Sequence, residues 1–237
     1  LALGNLYKDG LNDPEKAIAQ YTRIIELKPT MGYAYNNIGL VYEQKLENID
    51  KAEEYFLKAI KIDSTQHYPY RNLGELNVRK ENYLKAIEYH SKAIELAPEE
   101  SSLYYLRTTP YEELQMYSEA EADYLKAIEL FSENEDYYRY LADFYADYLN
   151  EPEKAIAQYL KLLEVNPKNT DAYNNIGFIY ETDLKNLEKA QEYYLKTIEI
   201  DSLYSLGYKN VGDLNFKKEE YLKAIEYYSK AIELDPK

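Results

Sequence analysis

AYNNIGLVYE, Ala34 to Glu43, returns as AYNNIGFIYE, Ala172 to Glu181, 138 residues further along a chain of 237. Each copy holds a glycine with a tyrosine four residues before it and another three residues after it. Those offsets share one face of a helix. The glycines belong to a row of small residues that runs the length of the chain. Gly4, Gly39, Gly74, Thr108, Ala142, Gly177 and Gly212 stand 35, 35, 34, 34, 35 and 35 residues apart. The chain is therefore a repeat protein, and the repeat settles its organisation before length or composition does.

A second helix follows in each unit. Its small residue is always alanine: Ala17, Ala52, Ala86, Ala120, Ala155, Ala190 and Ala224. Four residues on comes a ring: Tyr21, Phe56, His90, Tyr124, Tyr159, Tyr194 or Tyr228. Glu54 and Lys58, Glu88 and Lys92, Glu192 and Lys196, and Glu226 and Lys230 are spaced i,i+4 and mark the wet face. Proline or serine closes each unit, from Pro29 to Pro236. Pro14 and Pro152 sit at or near the first position of a second helix, where a missing N–H costs nothing.

This ruler resembles the tetratricopeptide repeat family over the whole chain. The resemblance implies an all-α, right-handed superhelical solenoid of antiparallel helix pairs. It implies seven repeats, at about 1–31, 32–66, 67–100, 101–134, 135–169, 170–204 and 205–237, read as a single solenoid. Units one to three are duplicated as units five to seven. Leu11 to Tyr21 returns as Leu149 to Tyr159 with one change, Asp13 to Glu151. From the start at Leu1, inside what reads as a helix, a fragment of a longer protein is expected.

Composition narrows function. There are 30 Tyr, 5 Phe and no Trp, and the net charge is −15. Tyrosine suits half-buried surfaces. The charge argues against nucleic acid or an anionic membrane as partner. The absence of cysteine excludes disulfides and thiolate sites. No apolar run reaches a membrane span. A soluble protein is expected, with the cytoplasm favoured, although no residue names the compartment. His67 and His90 have no ligand spacing, and His90 occupies a packing position. No nucleophile, phosphate or metal motif occurs. No catalytic residue, cofactor or metal is expected.

The resemblance also implies that the first helices line a concave groove that binds peptides. Asn37, Asn72, Asn175 and Asn210 stand two residues before the repeat glycine and are expected to point there. Their amides are expected to be solvent-accessible, without a role in packing. They look like the asparagine ladder of the O-linked GlcNAc transferase superhelix, interrupted by Ala2, Leu106 and Tyr140. Asn36, Tyr33, Tyr68, Arg71 and Arg79, with Asn174, Phe178, Lys209 and Lys217, complete the candidate groove. Rings and cations fit a short peptide with an apolar anchor and an acidic group. The carboxylate clamp of chaperone-binding members is not expected. Asn5 and Asn37 match it, but Leu1, Tyr68 and Asn72 replace its cations, and the second block, with Arg139, Asp143, Leu206 and Asn210, fails likewise.

Two further expectations concern breaks in the pattern. Pro110 falls deep in a first helix, where it removes a donor and meets the carbonyl of Leu106, so that helix is expected to bend or end near Thr108 to Pro110. The last helix, Tyr221 to Leu234, is expected to leave an apolar strip bare. The expected function is a non-catalytic scaffold that binds an extended peptide. The alternative is a structural module that self-associates as a homo-oligomer through its ends.

Overall fold

The structure is a computed structural model and describes residues 1–236. Among them there are only helices and turns. The chain forms two compact units, Leu1–Leu130 and Phe131–Lys237.

The first unit holds four helix pairs. They are α1 (Ala2–Asn5), extended by a π-helical stretch Leu6–Gly10, with α2 (Pro14–Leu27); α3 (Gly32–Gln44) with α4 (Ile49–Ile62); α5 (His67–Arg79) with α6 (Tyr83–Leu96); and α7 (Ser101–Glu113) with α8 (Tyr117–Leu130). The second unit holds three: α9 (Glu135–Asp147) with α10 (Pro152–Val165), α11 (Thr170–Thr182) with α12 (Leu187–Ile200), and α13 (Ser205–Lys217) with α14 (Tyr221–Leu234). All fourteen expected helices are present.

Local chemistry sets the turns. Pro14 and Pro152 open α2 and α10. Asp13, Asn48 and Asn186 each accept the N–H three residues on at 3.0 Å, capping α2, α4 and α12. Every turn within a pair has one left-handed residue: Asn12, Glu47, Glu81, Gln115, Asn150, Lys185 and Glu219. None is glycine. A hydrogen bond closes each turn onto the residue three after the small one, as in Asn48 N–H to the Tyr42 carbonyl at 2.8 Å. Fixing the chain there outweighs the roughly 1–2 kcal/mol strain of one left-handed residue.

The small residues of the first helices meet the rings of the second. A Cβ on Gly39 would lie 2.5 Å from the Phe56 ring, and one on Gly177 2.6 Å from the Tyr194 ring. The rings of the first six units are buried, as are all seven alanines. Within each compact unit, a second helix packs on the first helix that follows it. Ala52 and Phe56 of α4 meet Leu73 and Leu76 of α5, and Ala190 and Tyr194 of α12 meet Val211 and Leu214 of α13. Burying a large apolar side chain stabilises by about 1.5–3 kcal/mol, so these joints hold the stack.

Two expectations change. The helix containing Pro110 does not end there, because α7 runs unbroken from Ser101 to Glu113. Only one hydrogen bond is lost, three residues from the helix end, and Leu103, Thr108 and Pro110 are all buried. Tertiary packing overrides the local penalty. On the wet face, Lys58 and Lys196 take their i,i+4 glutamates at 2.5 and 2.9 Å, whereas Lys92 and Lys230 turn to Glu95 and Glu233. Exposed pairs differ too little in energy for spacing to decide.

The strip on α14 is bare as expected. α6 and α14 differ at one position in fourteen, His90 against Tyr228. In α6, Ala93 is buried under Tyr70 and Leu103, and Ile94 packs beside them. In α14, Ile225, Ile232, Tyr221 and Leu222 are all exposed.

Candidate groove on the first helices

The first helices carry the candidate side chains, and they divide into four groups.

The amides pair with each other. Asn72 Nδ2 donates to Asn36 Oδ1 at 2.9 Å, and Asn210 Nδ2 donates to Asn174 Oδ1 at 2.7 Å. Asn36, Asn72 and Asn174 are buried, and only Asn37, Asn175 and Asn210 keep partial access to water. The expected row of free, solvent-facing amides is therefore corrected. Asn72 and Asn36 tie α5 to α3, and Asn210 and Asn174 tie α13 to α11, so these amides do support packing. A buried amide left without its partner costs about 1–3 kcal/mol, which explains why they meet.

The cations are also occupied. Arg71 lies 3.0 Å from Glu75, Arg79 3.1 Å from Glu43, Lys209 2.8 Å from Asp213 and Lys217 2.5 Å from Glu181. The four basic residues expected to receive an acidic ligand group each face a carboxylate of the chain. The cross-helix pairs obey one rule. Asn36 with Asn72, Glu43 with Arg79, Asn174 with Asn210 and Glu181 with Lys217 are all 36 residues apart. That is one repeat plus one residue, a spacing visible in the sequence but passed over there.

Sequence reasoning missed a third group, in which the ring hydroxyls of five second helices reach side chains of the first. Tyr21 donates to Asn5 at 2.7 Å, Tyr124 to Glu112 at 2.6 Å, Tyr194 to Glu181 at 2.7 Å and Tyr228 to Asp213 at 2.7 Å. Tyr159 donates to Asp143 and accepts from Asn175 Nδ2 at 2.9 Å. Burial raises the hydroxyls of Tyr124, Tyr159 and Tyr194, and it raises the carboxyls of Glu112 and Asp143. Arg107 was missed too. It forms a two-pronged bond to Asp123 at 2.7 and 2.8 Å and reaches Ser91 at 2.7 Å.

The fourth group is open. Tyr33 of α3 and Tyr68 of α5 are exposed, with ring centroids 6.0 Å apart, and the His67 ring lies tilted against Tyr68 at 3.9 Å. His67 Nε2 lies 2.9 Å from Glu100. In the second unit Phe178 is 55 % exposed. It lines a pocket of about 310 Å³ with Asp143, Ala146, Asp147, Tyr159, Asn175, Ile179 and Asp183. Among the described residues no group of three or more His, Cys, Asp or Glu side chains is placed to hold a metal ion. No helix among them is long and apolar enough to cross a membrane.

Models described as tetratricopeptide repeat match residues 30–99 and 205–237, and another matches 1–31, 103–134 and 170–202. One described as TPR repeat matches 148–183. The chain belongs to the tetratricopeptide repeat family. A comparison with curated protein sequences gives no match. Among solved structures, the C-terminal part of a TPR repeat-containing protein from Cytophaga hutchinsonii is similar with a TM-score of 0.81 at 19% identity, over 98% of this chain and 93% of that one. MamA from Desulfovibrio magneticus RS-1 is similar at 0.58 and 19%, over 72% and 95%. These two show the fold alone. YrrB, described as a TPR protein with an unusual peptide-binding site, is similar at 0.57 and 27%, over 78% and 94%. The family makes this TPR chain a protein-interaction scaffold.

Proposed function

We propose that this TPR protein is a non-catalytic scaffold that binds an extended polypeptide segment along its first helices. The observation that carries this reading is the aromatic surface left open there, Tyr33 and Tyr68 across adjacent helices and Phe178 in the second unit. Rings of this size dominate binding energy when a partner covers them. The half-open amides of Asn37, Asn175 and Asn210 beside them can meet a peptide backbone. The peptide-binding site ascribed to YrrB supports the same use of the fold. The paired state of Arg71, Arg79, Lys209 and Lys217 leaves them positioning the groove rather than receiving an acidic group.

The test starts from peptides selected by display against the protein. Those that bind the first unit are expected to lose about tenfold or more in affinity to the double variant Tyr33→Ala, Tyr68→Ala, since each ring contributes on the order of 1 kcal/mol or more. Thermal stability stays the same, because both rings are already exposed. Unchanged affinity by calorimetry would remove these rings from the groove.

One observation favours a second reading, the self-associating module. α14 repeats α6 almost residue for residue, yet its Ile225 and Ile232 are exposed where Ile87 and Ile94 of α6 are half-buried. On that reading sedimentation shows association at high concentration, and Ile225→Glu with Ile232→Glu abolishes it. A chain that stays monomeric throughout excludes it.

A further inference from the structure

The pocket beside Phe178 differs in charge from its own duplicate. Asp143, Asp147 and Asp183 line it, and no lysine or arginine does. The positions 138 residues earlier are Asn5, Asp9 and Lys45, with Lys8 in place of Ala146 and Leu40 in place of Phe178. One carboxylate and two lysines in the first unit thus stand against three carboxylates in the second. The surrounding frame is kept. Tyr21 donates to Asn5 as Tyr159 donates to Asp143, and Lys45 caps α3 where Asp183 caps α11.

Hydrogen bonding in the pocket is also one-sided. Asn175 gives an amide hydrogen to Tyr159, and Tyr159 gives its own to Asp143. Apart from the second Asn175 amide hydrogen, the unused capacity is the Asn175 carbonyl oxygen and the carboxylates, so acceptors outnumber donors. Arg139 approaches Asp143 only to 3.8 Å, and among the described residues Asp147 and Asp183 have no cationic partner. The exposed face of Phe178 completes a site for a positive charge.

We propose that the pocket formed by Phe178, Asn175, Asp143, Asp147 and Asp183 receives the lysine or arginine side chain of the bound segment, so that the second unit selects basic peptides. This rests on the groove reading and names its partner. The ligand must bring several donors and a positive charge, and among side chains these two do so. Burial raises the Asp143 carboxyl, and a bound cation would offset that cost.

The experiment uses a fluorescein-labelled peptide of alternating arginine and alanine, and the same peptide with citrulline for arginine, at physiological salt. Anisotropy is read on the whole chain. The variant Asp143→Asn, Ala146→Lys, Asp183→Lys gives the pocket the residues with which the first unit already folds. Glu133→Lys with Glu199→Lys makes the same charge change at exposed positions outside the pocket. The arginine peptide is expected to bind the native chain about tenfold more tightly than the citrulline peptide. It is expected to lose about tenfold on the pocket variant and less than about threefold on the charge-matched one. Equal loss on both variants reduces the effect to net charge and overturns the proposal. So does equal binding of the two peptides, or no binding of either. A display library run alongside separates the two failures. Enriched neutral peptides that Phe178→Ala releases keep the groove and remove the cation, whereas a library that enriches nothing removes both.

Discussion

Replacing Arg107 with methionine is expected to destabilise the first unit by about 3–5 kcal/mol. Arg107 stands on α7 and grips Asp123 of α8 with two nitrogens, while a third reaches Ser91 of α6. Its guanidinium also lies over the Tyr111 ring at 5.4 Å. Asp123 is buried, and burial pushes its carboxyl up while Arg107 holds it down. Methionine fills much of the same volume but leaves Asp123 without a counter-charge away from water. The cost is that stranded charge rather than the worth of the pair. A second substitution tests the distinction. Arg107→Met with Asp123→Leu is expected to recover most of the loss, because a buried pair exchanged for apolar groups of similar size is often neutral. Urea unfolding followed by circular dichroism measures both. A loss below about 1 kcal/mol in the single variant, the value of an exposed pair, would show that water reaches the site.

This bridge also shows where the sequence stops being legible. The repeat positions are readable because packing demands small against ring in every unit. Gly39 under Phe56 and Gly177 under Tyr194 follow from spacing alone. Arg107 sits one residue before Thr108, outside that ruler, and its partner belongs to the next helix. Polar side chains show their type in a sequence but not their partner. Arg71 and Arg79 therefore read as ligand-binding cations, and the structure gives them Glu75 and Glu43. Asn72 read as a free amide for the same reason, and Asn36 occupies it. The interval of 36 residues would have exposed two of these errors, Arg79 and Asn72, since it recurs in both blocks. The expectation that α7 ends at Pro110 failed differently. A local rule about one helix was applied where the neighbours on both sides set the outcome. The pocket beside Phe178 was half legible. Its residues lie in the sequence, but only the hydrogen bonds show that acceptors outnumber donors there.

Acid is expected to weaken the first unit through His90, and the duplicate supplies the control. His90 occupies the ring position of α6 and is fully buried under Gly74, with neither ring nitrogen in a hydrogen bond. Burial pushes its pKa down to about 4, and the positive charges of Arg107 and Arg71 push the same way. In the unfolded chain it titrates near 6.5, so the unfolded state takes up the proton first. The neutral imidazole's contribution is fully present above that value. It is lost progressively as pH falls from about 6.5 to about 4. At about 1.4 kcal/mol per unit the loss amounts to about 3 kcal/mol. Many carboxylates titrate in the same range, so the native chain alone cannot assign the loss. His90→Tyr makes α6 identical to α14, where Tyr228 donates to Asp213, and Glu75 is the equivalent acceptor on α5. His90→Phe copies α4, where Phe56 packs without a hydroxyl. Both variants keep a ring against Gly74, and neither gains a proton between pH 7 and 4. Unfolding free energies of the three chains are compared across that interval. Relative to each variant the native chain is expected to lose about 3 kcal/mol on going to pH 4. The Phe variant separates loss of the imidazole from gain of the Tyr–Glu75 bond, because it removes the first without adding the second. A difference that stays constant with pH in both variants would mean that His90 takes up its proton inside the folded core at no cost.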